Sequence, residues 1–132
     1  MTHVIKSLSE IASDYDAIVL DQWGVLHDGS AAYPGAAAAL KHLMARGTRL
    51  AVLSNSGKRA APNRARIAAM GFSSGLFDCV MTSGEALWRD ISNGTITERR
   101  FFPVERTEGE AGAWATERAI DPTAERSPPE AM

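Results

Sequence analysis

The chain has 132 residues, of which 45% are hydrophobic and 23% charged. This is the composition of one globular domain, or of part of a larger one, rather than a disordered, collagenous or membrane composition. The net charge of −2 and pI near 5.9 give no electrostatic reason to expect nucleic acid or an anionic membrane surface as partner, while small, metal-neutralised anions stay open.

Cys79 is the only cysteine, so the sequence holds neither an intrachain disulfide nor a Cys/His cluster with zinc spacing. A reducing cytoplasm is the expected compartment. His3, Lys6, Glu10, Asp14 and Asp16 interrupt the apolar residues of the N-terminus, which argues against a signal peptide. No run approaches the ~18 apolar residues of a spanning helix.

Val4, Ile5, Leu8, Ile11 and Ala12 recur at helical spacing and predict a short amphipathic helix over 4–13. Ala17-Ile18-Val19-Leu20 follows, a continuous apolar run of the kind a strand buried on both faces requires. It ends at Asp21, with Gly24, Asp28 and Gly29 as turn formers. Residues 34–46 are rich in helix formers and stop at Gly47. Leu50-Ala51-Val52-Leu53 repeats the strand pattern and ends at Ser54-Asn55-Ser56-Gly57. A helix over 63–70 is closed by Gly71, a weaker strand over 77–81 ends at Thr82-Ser83-Gly84, and a helix over 85–91 follows.

This alternation predicts a Rossmann-like α/β fold, a parallel sheet with helices on both faces. The polar strand ends at Asp21, Ser54 and Thr82 then share the carboxyl edge, where open α/β sheets bind ligands. Residues 1–91 read as the N-terminal part of this core, and residues 100–104 suggest a fourth short strand. From 105 to 132 the only Ile, Leu, Val or Phe is Ile120. That tail is expected to be disordered or foreign to the fold.

A strand-end carboxylate such as Asp21 serves as a nucleophile toward phosphorus or as an oxygen ligand for Mg²⁺; its ordinary use is to cap a turn. Ser54 and Asn55, followed by the N–H groups of a helix start and Lys58, form a phosphate cradle or, more simply, a helix N-cap. Cys79, inside an apolar run, reads as a small core residue. His42 reads as solvated.

Three ordered blocks carry a resemblance: Asp21-Gln22-Trp23-Gly24-Val25-Leu26 with Asp28-Gly29, Leu53-Ser54-Asn55-Ser56-Gly57-Lys58-Arg59, and Thr82-Ser83-Gly84-Glu85-Ala86. Together they resemble the N-terminal half of a class II haloacid-dehalogenase-like hydrolase, near the nucleotide- and sugar-phosphate phosphatase branch, over about residues 14–91. The resemblance implies that Asp21 is the nucleophile that becomes an aspartyl-phosphate and that Asp21 and the backbone carbonyl of Trp23 hold Mg²⁺. It also implies that Ser54, with Asn55, binds the phosphoryl group of a small phosphorylated metabolite. A cap domain would start soon after Ala86, within 92–104.

The usual phosphatase pattern has a second Asp, the general acid, where this chain has Trp23. The Asp-x-Trp-Gly-Val pattern resembles a subgroup of the same class; Asp28 or His27, a few residues along the loop, could supply the proton, although both residue types are common in solvated loops. Two other readings stay open: a non-catalytic phosphate- and metal-binding pseudoenzyme, and a receiver-like phospho-switch, although a receiver's phosphoacceptor tends to follow the third strand, which here ends in Thr82-Ser83. The resembling enzymes also use a downstream Lys and a further acidic motif. The lysines here are Lys6, Lys41 and Lys58, and the only Asp beyond Asp90 is Asp121. The chain by itself is therefore expected to be inactive and marginally folded, with an apolar sheet edge that invites aggregation or a homo-oligomer.

Overall fold

The structure, a computed structural model, describes residues 4–104 together with Gly112 and Ala115. The chain divides into two compact units, Met1–Glu85 and Ala86–Met132.

The first unit is built on three parallel strands, β1 (Ala17–Leu20), β2 (Arg49–Ser54) and β3 (Cys79–Thr82), hydrogen-bonded in the order β1-β2-β3. Helix α1 (Ala36–Ala45) links the first pair, and α2 (Ala60–Ala69) links the second. α3 (Ser83–Ser92) follows β3 and runs across the division between the units. This is the Rossmann-like parallel α/β fold read from the sequence.

Successive residues of a strand point to opposite faces. On one face Leu20, Leu50, Val52 and Val80 are buried in a core with Leu40 and Leu43 of α1 and Ile67 of α2. Two crossovers of one hand running in one direction along the sheet put both helices on that side. On the other face, which the sequence reading expects helices to cover as well, Val19 is 63% and Leu53 57% exposed, and Cys79 is exposed. Cys79 is therefore not a core residue: its side chain alternates away from the helical layer.

Both crossover helices close in the same way. Gly47 (φ 91°) and Gly71 (φ 100°) take the left-handed conformation that favours glycine. After α1, Gly47 N–H donates to Met44 O at 2.9 Å and Thr48 N–H to Leu43 O at 3.2 Å; after α2, Gly71 N–H donates to Ala68 O at 3.0 Å and Phe72 N–H to Ile67 O at 3.2 Å. These bonds satisfy the last carbonyls and turn the chain toward the next strand.

Three expectations change. The 4–13 segment forms two single-turn 3-10 helices, Leu8–Glu10 and Ala12–Asp14, because the Glu10 carboxylate accepts the Lys6 and Ser7 N–H groups at 2.8 and 3.0 Å, and Ile11 at φ −120° ends the turn. The third strand starts at Cys79: Phe77 packs its ring 6.2 Å from that of Phe72, and the Asp78 N–H donates to Leu50 O at 2.8 Å. Residues 101–104 form no strand. In the second unit Ile91 and Ala115 are buried, with Ile96 and Phe101 packed against them. The remainder of the 105–132 tail, with Trp114, Ile120 and Asp121, lies outside the described residues, as does His3. Among the described residues no helix is long and apolar enough to cross a membrane.

Candidate active site

The register pairs Leu20 with Val52 and Ser54 with Thr82, so Asp21 leaves the sheet one residue short of the level of Ser54, on the adjacent strand. The sequence-predicted groups Asp21, Ser54 and Asn55 thus share one carboxyl edge. Asp21 and Asn55 are exposed and Ser54 is half-buried. One Asp21 oxygen accepts the Gln22 N–H at 2.7 Å.

The loop after Asp21 is tightly wound. The N–H groups of Val25, Leu26 and His27 all point to Gln22 O, at 3.3, 2.8 and 3.2 Å, and Gly24 N–H donates to His27 O at 2.9 Å. Gly24 at φ 82° and Gly29 at φ 107° supply the left-handed turns. Trp23 stands on this loop with its ring 57% exposed, and its indole N–H donates to Asp28 O at 3.0 Å.

Neither substitute acid is poised to release a proton. The Asp28 carboxylate accepts the Ser30 and Ala31 N–H groups, both at 2.8 Å, and those bonds, that of Ala31 foremost, hold it below its ordinary value. It is the turn cap of this loop. His27 is 2% exposed, and its Nδ1 accepts the Gly29 N–H at 3.0 Å, so the neutral ring carries its proton on Nε2, a buried atom with no hydrogen-bond partner. Burial, and then the charge of Arg66, lower its pKa against the opposing pull of Asp28 and Asp21. Arg66 also donates to Gly29 O at 2.6 Å, tying α2 to the loop.

On β2 the strand end is a chain of small hydroxyls. Ser54 Oγ accepts the Ser56 N–H at 3.3 Å and Ser56 Oγ accepts the Lys58 N–H at 3.2 Å. These bonds use hydroxyl lone pairs and leave each O–H hydrogen for another acceptor. The third block does not line the edge in the way the sequence suggests. Thr82 is 1% exposed; its hydroxyl donates to Lys58 O at 2.6 Å and accepts the Glu85 N–H at 3.0 Å. Glu85 belongs to the third block, but the sequence assigns it no role. Its carboxylate meets Arg59 Nε at 2.7 Å and the Ala60 N–H, the first of α2, at 2.8 Å. The Arg59 guanidinium, and after it the Ala60 N–H, hold the Glu85 carboxyl low against the opposing effect of burial. The start of α2 is thus already occupied by an internal carboxylate.

For a hard cation the donor set fits in kind: the Asp21 carboxylate and a backbone carbonyl two residues on are oxygen ligands of the sort Mg²⁺ takes alongside phosphate and water. Among the described residues no group of three or more His, Cys, Asp and Glu converges, so nothing points to an all-protein cage.

A carboxylate and a hydroxyl-bearing loop thus stand on neighbouring parallel strand ends, the edge at which open α/β sheets bind ligands. The family follows from comparison: the haloacid dehalogenase-like hydrolase model matches residues 18–106, and the chain belongs to that family. Its fold is similar to the crystal structure of a hydrolase of the haloacid dehalogenase-like family from Brucella suis 1330, with a TM-score of 0.73 and 28% identity over 90% of this chain. The chain spans 44% of that relative's length. No curated protein matches it.

Proposed function

We propose that the protein acts in Mg²⁺-dependent hydrolysis of a small phosphomonoester through an aspartyl-phosphate on Asp21. The observation that carries the reading is the placement of Asp21 and Ser54 on adjacent strand ends, one residue apart in register. An Asp21 oxygen forms the bond to phosphorus as the bond to the leaving oxygen breaks, the leaving oxygen taking a proton from water; a water molecule then attacks phosphorus, gives up its proton to solvent, and releases phosphate and the free carboxylate. Ser54, through its hydroxyl hydrogen, and Asn55 orient the phosphoryl oxygens. The Asp21 carboxylate and the Trp23 carbonyl would hold the metal, which when bound neutralises phosphoryl charge.

Acetyl phosphate with Mg²⁺, followed by chemical trapping and peptide mass analysis, tests this. Label on Asp21 that is absent from Asp21→Asn supports the nucleophile assignment, and label elsewhere sinks it. Rapid phosphate release marks a hydrolase, whereas a persistent adduct marks a switch. Trp23, which cannot donate a proton as a carboxylic acid does, favours a second reading: phosphate and metal binding without turnover.

A further inference from the structure

The second and third sequence blocks are joined by hydrogen bonds from three residues, Thr82, Gly84 and Glu85. Thr82 Oγ1 donates to Lys58 O, Gly84 N–H donates to Ser56 O at 3.1 Å, and Glu85 binds both the Arg59 side chain and the Ala60 N–H. Gly84 lies against the Gly57 carbonyl so closely that no side chain fits between them. Every residue from Ser56 to Ala60 is therefore touched by the segment Thr82–Glu85.

We infer that Glu85 is a positioning residue for the phosphate-binding strand end: by pinning Arg59 and Ala60 it fixes the loop on which Ser54 and Asn55 present their side chains. The inference rests on the phosphate-binding role proposed above for those two residues. Two physical points support it. The Arg59–Glu85 pair is largely shielded, with side-chain exposures of 20% and 22%, and its bonds are charge-assisted, the strong class. In addition, a carboxylate on the first amide of α2 satisfies a donor that would otherwise attract an anion. A bound phosphate is thereby directed to the strand end and not to the helix axis, so phosphate affinity depends on loop geometry that Glu85 maintains without touching the ligand.

The test titrates the 132-residue chain with inorganic phosphate in the presence of Mg²⁺ and follows the backbone amide signals of Ser54 and Asn55 by NMR, well below the unfolding temperature. Glu85→Gln and, independently, Arg59→Gln are expected to weaken phosphate binding roughly 10- to 100-fold, the scale of a misplaced contact group, while Mg²⁺ titrated alone binds as in wild type. A purely structural role would lower the unfolding temperature and leave phosphate affinity of the folded protein alone. Phosphate affinity within twofold of wild type in both variants overturns the positioning role and leaves the proposed function standing. A wild-type chain whose Ser54 and Asn55 signals ignore phosphate overturns the phosphate seat itself, and the positioning role with it.

Discussion

Gly84 presses against the backbone of Gly57: a Cβ built on Gly84 would overlap the Gly57 carbonyl oxygen and stand 2.5 Å from its carbon and 3.0 Å from Lys58 O. The obstruction is main chain held by hydrogen bonds and not the tip of a flexible side chain. Gly84→Ala must therefore separate the two loops. Its expected cost is about 1–3 kcal/mol, as for overpacking, read as a lower denaturant midpoint. Gly75→Ala, where nothing lies within 4 Å of the new Cβ, is the control and should stay within about 1 kcal/mol of wild type. Equal effects from the two would refute the close packing.

Protonation of His27 gives a second prediction. Its folded pKa is lowered from 6.5, so on acidification the unfolded chain takes up this proton before the folded one does. The stability contributed by the neutral ring is complete above about pH 6.5 and is lost as pH falls through the depressed folded value. Unfolding temperatures measured between pH 7.5 and 5 should decline in wild type. His27→Asn offers an oxygen near the place of Nδ1 and does not titrate, so it should flatten that decline. An equally steep decline in the variant would assign the effect to another group.

Trp23 separates side chain from backbone. If the carbonyl serves the metal, Trp23→Phe should leave Mg²⁺ affinity within about twofold, since backbone ligation does not depend on the ring. Loss of the indole bond to Asp28 O should cost about 0.5–1.5 kcal/mol of stability. Isothermal titration and chemical denaturation read the two separately; a tenfold weaker Mg²⁺ affinity in the folded variant would rule out carbonyl ligation.

The strands, the crossover helices and the shared strand edge were legible because each rests on local patterning: four apolar residues ending at Asp21, the same at Ser54, and glycines at 47 and 71 where helices must stop. The roles of Thr82, Gly84 and Glu85 were not, since they arise between segments 24 to 28 residues apart and short polar residues at a strand end look alike whether they face a ligand or another loop. Continuous apolarity also misled at two positions: Val19 and Leu53 have the composition of a doubly buried strand, yet they are 63% and 57% exposed. Hydrophobicity records the cover a strand can use and not the cover it has. Asp28 and His27 illustrate the converse, as titratable residues whose hydrogen bonds make them parts of a turn.

The two faces of β2 permit a final comparison with identical chemistry. Leu50 is 1% exposed and belongs to the core beneath α1 and α2, whereas Leu53, three residues along the same strand, is 57% exposed on the opposite face. Truncating Leu50 to Ala removes buried methyl groups and leaves a cavity, for an expected cost of about 2–5 kcal/mol. The same truncation at Leu53 removes surface already in contact with water and should stay within about 0.5 kcal/mol. Denaturant titrations of the two variants at low protein concentration measure the difference directly. Comparable losses would mean that the Val19–Leu53 face is covered in solution. Repeating the titration over a hundredfold range of concentration then identifies the cover: a midpoint that rises with concentration marks a second copy, because association stabilises only the folded chain. An unchanged midpoint would rule out association as the cover.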